Sequence, residues 1–303
     1  MPLVTSKEML IAALEGHYAV GAFNANNMEQ VQAIVEAAVQ EKSPVILQVS
    51  QGAIKYAGLE FATAMVRAAA EMADVPVVLH LDHGTDFDQN VRCLRAGFTS
   101  LMYDGHAEPY EVNVRNTARI CQIAHICNIP VEAELGSVLT GKVSPEQVRA
   151  AMTQPDQVVD FVERTGVDSL AVAIGSVHAG EKQEATLDID HLKALRAVTD
   201  IPFVLHGSSG VKEDSEVEAI QYGITKINVA TMLNQAFIAG IKQAYEKMPD
   251  NIDPRKWLTI SRDMVTEVVR HKMRLFGSSG KASTSGFTSA PVTFRAVDLG
   301  SLE

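Results

Sequence analysis

Residues 77–85 read VVLHLDHGT. Val77, Val78, Leu79 and Leu81 put apolar side chains on both faces of an extended run, the pattern of a strand covered on both sides. His80, Asp82 and His83 interrupt that run at its end. A buried polar group without a partner costs about 1–3 kcal/mol, so an acid and two imidazoles here need a use. What that use is depends on the sheet around the strand.

The same run recurs along the chain. AVGAF (19–23), VILQV (45–49), SLMY (100–103), VEAEL (131–135), SLAVAI (169–174), FVLH (203–206) and KINVA (226–230) are short, apolar and often β-branched. Stretches of helical period separate them: 28–42, 59–73, 87–97, 112–126, 156–166, 189–198, 216–223 and 232–248. Pro44, Pro76, Pro130 and Pro202 each stand just before a strand, and Gly97, Gly166 and Gly223 suit helix C-caps. Strands apolar on both faces that alternate with helices predict a parallel sheet covered by helices, and eight such units close a barrel. The competing fold is a doubly wound open sheet. That fold usually shows a glycine-rich loop after its first strand, whereas FNANN follows here. The expectation is an α/β chain forming a single (β/α)8 TIM barrel over residues 1–281, with extra C-terminal helices in 252–276. A small, polar, aperiodic tail of native or vector origin follows at 282–303.

Composition narrows the function. The 303 residues are 47% hydrophobic, enough for a large core, and the formal charge of −11 opposes binding to nucleic acid. It does not oppose a small phosphorylated ligand held by backbone N–H groups. Cys93, Cys121 and Cys127 are an odd set without CxxC spacing and read as reduced, buried thiols of a cytoplasmic protein. The start, MPLVTSKEML, is not signal-like, and no apolar run reaches the roughly 20 residues that span a bilayer. No membrane partner is expected.

In such a barrel, chemistry belongs at the C-terminal ends of the strands. The sequence places Asn24, Gln48, Ser50, Asp82, His83, Asp104, Glu134, His178, His206 and Asn228 there. His83, His178 and His206 follow three different strands, and three neutral imidazoles plus an open position form a catalytic zinc site. Singly, each would read as a buried histidine bonded to backbone; their equivalent placement points to a metal. His80, on the inward face with Asp82, reads equally as a partner of the site or a packed core residue. His17, His106, His125, His191 and His271 read as surface or core residues. For Asp82 and His83 to serve one site the strand must end at Asp82 and turn at His83, with Gly84 making the turn possible. HGSSG (206–210) and NVAT (228–231) follow the last two strands, where barrels often hold phosphate. Gly207 and Gly210 allow close backbone approach, Ser208 and Ser209 add hydroxyls, and Thr231 opens a helix whose N-terminus favours an anion.

LHLDHG (79–84), EAELG (132–136), AIGSVH (173–178), LHGSSG (205–210) and KINVAT (226–231), in this order, resemble the class II, metal-dependent ketose-bisphosphate aldolases of the fructose- and tagatose-bisphosphate type. The resemblance runs from about residue 4 to 281, with FN near the start and KM…FGSSGKA near the end. It implies a homodimeric or homotetrameric barrel that reversibly cleaves a ketose phosphate to dihydroxyacetone phosphate and an aldehyde. It also implies one Zn²⁺ per subunit on His83, His178 and His206, with a monovalent cation as an optional further ion. Asp82 matches the acid that exchanges a proton with the hydroxyl at the bond being cleaved. Asp104 and Glu134 match acids that serve a second metal position or surround the metal. Gly207, Ser208, Ser209, Asn228, Ala230 and Thr231, with Asn24, Ser50 and Gly180, match the substrate-binding set. The chemistry is consistent: cleavage leaves an enediolate whose charge a bound Zn²⁺ stabilises by several kcal/mol, so no Schiff-base lysine is required. Lys226 has no special setting that would favour that route.

Two stretches depart from the family pattern. The family's mobile loop after AELG usually carries GG and acids, one of which moves the proton on dihydroxyacetone phosphate. Here AELGSVLTGKVSPEQ has Gly141 and Lys142 in their places, with Glu146 the nearest downstream acid. Lys142 suits an anionic substituent on an unusual substrate. After the strand-6 histidine comes Ala179 and only then Gly180, followed by EKQEAT. Two other readings remain open: a paralogue that binds metal and sugar phosphate without turnover, and a zinc-dependent barrel hydrolase. The hydrolase would usually carry a His-x-His pair on an early strand, which is absent here.

Overall fold

Eight parallel strands surround one axis in the order β3-β2-β1-β8-β7-β6-β5-β4. They are β1 Val20–Asn24, β2 Val45–Ser50, β3 Val77–Asp82, β4 Leu101–Tyr103, β5 Val131–Leu135, β6 Ser169–Val172, β7 Phe203–Leu205 and β8 Ile224–Val229. The computed structural model describes residues 3–178, 180, 182–282 and 287. Between β3 and β4 the barrel closes through the Leu81 N–H bonded to the Ser100 carbonyl at 3.1 Å and the Asp104 N–H bonded to the Gly84 carbonyl at 3.1 Å. The fold is the expected (β/α)8 barrel, and every strand lies within a residue or two of its sequence-based position.

Twelve helices accompany the strands among the described residues: α1 Ser6–Glu15, α2 Met28–Glu41, α3 Gln51–Ala57, α4 Leu59–Met72, α5 Phe87–Ala96, α6 Tyr110–Ile126, α7 Pro145–Ala150, α8 Pro155–Thr165, α9 Ile189–Arg196, α10 Glu213–Ile220, α11 Thr231–Lys247 and α12 Pro254–Leu275. Gly97 and Gly166 do end α5 and α8 in the left-handed conformation. Gly223 does not cap α10, whose C-cap is Gln221; it turns the chain into β8 with φ 99°. Within 252–276, where one or two helices are expected, the chain forms a single one, α12 Pro254–Leu275. Its Lys272 is bonded to Glu216 of α10 at 2.7 Å, and Arg270 and Arg274 both grip Glu41 at the end of α2.

Helix α1, which the periodicity does not reveal, plugs the N-terminal mouth. Met9, Leu10 and Ala13 pack with Val20, Ala22, Ile46 and Val78 from the lower barrel interior. The floor of the barrel is therefore apolar. Above it the inward positions turn polar, through Gln48, His80, Glu132 and Lys226 to Asn24, Asp82, Asp104, Glu134, His206 and Asn228. Cys93 and Cys121 are buried, but Cys127 at the end of α6 is exposed, unlike the expectation for all three. Of the 282–303 tail, Ala282 bonds to the Lys42 carbonyl and Phe287 packs on the cluster under α1. The rest of the tail lies outside the described residues.

Candidate metal centre

His83, His178 and His206 converge at the C-terminal mouth, their ring centroids 4.7–6.0 Å apart. One nitrogen from each lies within 4.8 Å of the others. Strand β3 ends at Asp82, as expected, but the turn is made by His83 itself, at φ 51°. Histidine tolerates this conformation better than bulky or β-branched residues do. Gly84 contributes differently. A Cβ there would stand 2.5 Å from the Met102 carbonyl oxygen, so glycine lets the turn lie against β4. The backbone N–H of His178 bonds to the Leu139 carbonyl at 2.8 Å, tying this histidine to the segment after β5.

Carboxylates surround the histidines. Asp104 accepts hydrogen bonds from His83 Nδ1 at 2.7 Å and His106 Nδ1 at 2.6 Å. Against its burial, these two imidazoles hold the Asp104 carboxyl well below the usual range. Burial pulls the His83 imidazole down, but Asp82 and Asp104 outweigh it and raise it to about 9. Burial and the neighbouring His83 push His178 down to about 4, and burial also drives His206 well below the ordinary imidazole range. Burial and Asp104 lift Glu134 to about 7. These groups strain against one another, as expected where a divalent cation would balance them.

The donor set fits such a cation. His206 Nδ1 and Glu134 Oε2 are buried 3.5 Å apart, and neither has a hydrogen-bond partner among the described residues. The other nitrogen of His206 is engaged by Glu132 Oε1 at 2.9 Å. A buried imidazole with its far nitrogen on a carboxylate and its near nitrogen free is a ligand prepared for a metal. His83, Asp104 and Glu134 form a second overlapping group of possible ligands.

Asp82, buried beside the histidines, is held by Asn24 Nδ2 at 2.7 Å and Asn228 Nδ2 at 3.3 Å. Asn24 in turn accepts from Gln48 at 2.6 Å. The loops after β6 and β7 meet glycine to glycine: a Cβ on Gly180 would lie 2.6 Å from the Gly210 Cα. Gly207 is left-handed at φ 68°, and Ser209 accepts from the N–H of Met232 on the first turn of α11 at 3.5 Å. Ala230 and Thr231 open α11. Two further predicted residues make hydrogen bonds of their own. The Ser208 hydroxyl bonds to the Asn228 carbonyl, and Ser50 caps α3 by accepting from the Ala53 N–H at 3.2 Å.

Comparison with known proteins agrees with this geometry. The profile of the family described as "Fructose-bisphosphate aldolase class-II" matches residues 4–281. The chain belongs to the class II fructose-bisphosphate aldolase family. It is 43% identical to the fructose-bisphosphate aldolase of Thermus caldophilus, across 92% of this chain and all of that protein. The corresponding protein of Geobacillus stearothermophilus is 44% identical, across 93% of this chain and all of its own length. Among solved structures, the YdjI aldolase from Escherichia coli K12 superposes with a TM-score of 0.83 at 36% identity, covering 93% of this chain and all of that one. Class II aldolases are metal-dependent carbon–carbon lyases, and this chain is an aldolase of that kind. Its substrate is accordingly a phosphorylated ketose. Among the described residues, no helix is long and apolar enough to cross a membrane.

Within this class II aldolase, the segment that lacks the expected acids is tied down. Thr140 bridges to His178, and the Gly141 N–H points to the His178 carbonyl at 3.5 Å. Lys142 lines a trough of about 1360 Å³, together with Arg149 and Lys182, and His178 forms part of one wall. Glu146 sits exposed on the first turn of α7, outside the ligand cluster, where Ser144 and Gln147 form a capping box. His106, expected from sequence to be a surface or core residue, is instead part of the site through Asp104. It follows β4 in a loop, where no periodicity indicates direction; its position two residues after a strand-end acid is the one signal the sequence offers. His17, His125, His191 and His271 stay away from the site, the last three on Asp168, the Thr153 carbonyl and Glu213. Lys226 cannot easily serve as a Schiff-base lysine. Its Nζ is buried and paired with Glu132 at 2.8 Å.

Proposed function

We propose that this aldolase reversibly cleaves a ketose phosphate to dihydroxyacetone phosphate and an aldehyde, with one Zn²⁺ per subunit held by His83, His178 and His206. The observation that carries the reading is the convergence of these three histidines beside an Asp82 fixed by Asn24 and Asn228. A divalent cation there supplies Lewis-acid stabilisation of the negative charge that develops on the ketone fragment, worth several kcal/mol. Asp82 takes the proton from the hydroxyl on the carbon that becomes the aldehyde, and returns it in the condensation direction. The two asparagine amides donate to both of its oxygens, so the carboxylate keeps one orientation while its proton comes and goes. Gly180, Gly207, Ser208, Ser209 and the Asn228–Thr231 segment hold the phosphate, with the positive end of α11 behind it. Asp104 and Glu134 orient the ligands or offer the second metal position, and a monovalent cation is an optional further ion. The relatives' names make fructose bisphosphate the first substrate to test. The loop change at Gly141 and Lys142 makes ketose phosphates with another anionic end the next. Cytoplasmic location and a homodimer or homotetramer belong to the same proposal.

The test is release of dihydroxyacetone phosphate from a panel of such ketose phosphates, with and without a chelator. Chelation should abolish release and added Zn²⁺ restore it, while Asp82→Ala should lower kcat by about 10²–10⁴. Release that persists in the presence of chelator, or unchanged in Asp82→Ala, refutes the assignment.

A further inference from the structure

Beneath the three histidines lies a layer of charged side chains that the reaction does not touch. Glu132 from β5 commits both carboxylate oxygens: Oε1 lies 2.9 Å from His206 Nε2 and Oε2 lies 2.8 Å from Lys226 Nζ. Lys226, from β8, also lies 3.4 Å from Nε2 of His80 on β3. His80 Nδ1 stands 2.8 Å from Ser100 Oγ, which is 2.8 Å from Ser6 Oγ at the start of α1. One polar chain thus runs from His206 down the barrel to the helix that plugs its floor.

We propose that Glu132, clamped by Lys226 and His80, is a positioning residue that fixes His206 as a ligand donating through Nδ1 and sets the metal affinity of the site. The proposal rests on the preceding reading that the histidines hold a divalent cation. A carboxylate paired with an ammonium only accepts hydrogen bonds, so the proton of a neutral His206 must sit on Nε2. That leaves the Nδ1 lone pair, which has no partner among the described residues, directed to the ligand cluster. Neither oxygen of Glu132 is free to become a ligand itself. Lys226 supplies the charge that allows a carboxylate to sit in the barrel interior. His80 Nε2 stands 3.4 Å from Lys226 Nζ and 3.7 Å from Glu132 Oε2, so it borders both members of the pair. From sequence His80 fits two roles equally, and its contacts assign it to support of the site, two steps removed from the ligand.

The test compares the full-length wild type with Glu132→Gln and the neutral double variant Glu132→Gln/Lys226→Met. Zn²⁺ affinity is read by competition with a chromophoric chelator, ligand geometry by the visible spectrum of the Co²⁺ form, and folding by metal-free thermal melting. Affinity should fall about 10–100-fold in both variants, with an altered Co²⁺ spectrum. The double variant, which buries no charge at this position, should melt close to wild type without recovering affinity. If that folded double variant binds with wild-type affinity and spectrum, the positioning role is refuted while the three-histidine site stands. A wild type that binds no divalent metal overturns both. One measurement needs no variant: ¹⁵N spectra of the metal-free wild type should show His206 protonated at Nε2, and protonation at Nδ1 overturns the proposal.

Discussion

Lys226 and Lys272 are 1% and 0% exposed, and each is paired with a buried glutamate, at 2.8 Å for Glu132 and 2.7 Å for Glu216. By burial and distance alone the two pairs are equivalent. Their third partners separate them. Glu132 places its other oxygen on His206, so the pair ends at the metal centre. Glu216 leaves Oε1 without a partner among the described residues, and Lys272 turns instead to Glu213 at 3.4 Å and to the Phe276 ring at 5.5 Å. That second pair fastens α12 to α10 on the outside of the barrel. A buried ion pair is therefore not by itself a sign of function, since its desolvation cost can match its attraction. The contact beyond the pair decides which role it has.

Breaking the outer pair should affect stability and leave metal binding alone. Lys272→Met leaves Glu216 buried without its cation, and losing one partner of a buried pair costs on the order of 3–5 kcal/mol. For a chain of this size that lowers the melting midpoint by several degrees or more. Zn²⁺ affinity should match wild type, and Lys272→Met/Glu216→Leu should recover most of the lost stability. A substantial loss of metal affinity in folded Lys272→Met would break the distinction between the pairs.

The outer pair also predicts a pH dependence. Burial raises the Glu216 carboxyl from an ordinary 4.5 to about 7, against the pull of Lys272. The folded state then holds a proton that the unfolded state has released, so this group's contribution is complete below about 4.5 and lost as pH rises through about 7. Other ionisable groups also make stability depend on pH, so the quantity to measure is the stability difference between wild type and Glu216→Gln. That difference should fall between pH 4.5 and 7 and then level off. A flat difference would show that burial does not control Glu216.

The barrel is legible in sequence because parallel strands are apolar on both faces, and proline and glycine mark their limits. The meeting of His83, His178 and His206 with Asp82 is legible because strand ends converge in this fold. Helices α1, α3 and α7 are not, being short and amphipathic only weakly or placed where a loop is expected. The Glu132–Lys226–His80 layer is hidden for another reason. Alternation shows that His80 faces inward, but its neighbours come from β5 and β8, and strands across a barrel share no local pattern. Glu132 reads as one more polar residue in VEAEL, and Lys226 as a lysine before a phosphate loop. Only closure of the barrel brings them together.

The smallest effect sharpens where support of the site ends. Ser100 is the last side chain between His80 and α1, and Ser100→Ala removes the oxygen facing His80 Nδ1 and Ser6. Leaving one neutral buried donor without its partner costs about 1–3 kcal/mol, at the lower end where a neighbour can relax toward it. Ser6 is such a neighbour, because α1 belongs to the floor and not to the strands. His80 is also held from its other side by Lys226, so its ring should stay in place. The expectation is a fall in midpoint of a few degrees, with Zn²⁺ affinity changed by less than about threefold, since each intervening contact weakens the influence on His206. A tenfold loss of affinity in Ser100→Ala would mean that α1 itself helps to hold the metal ligand, and the inner network would then have to be drawn down to the base of the barrel.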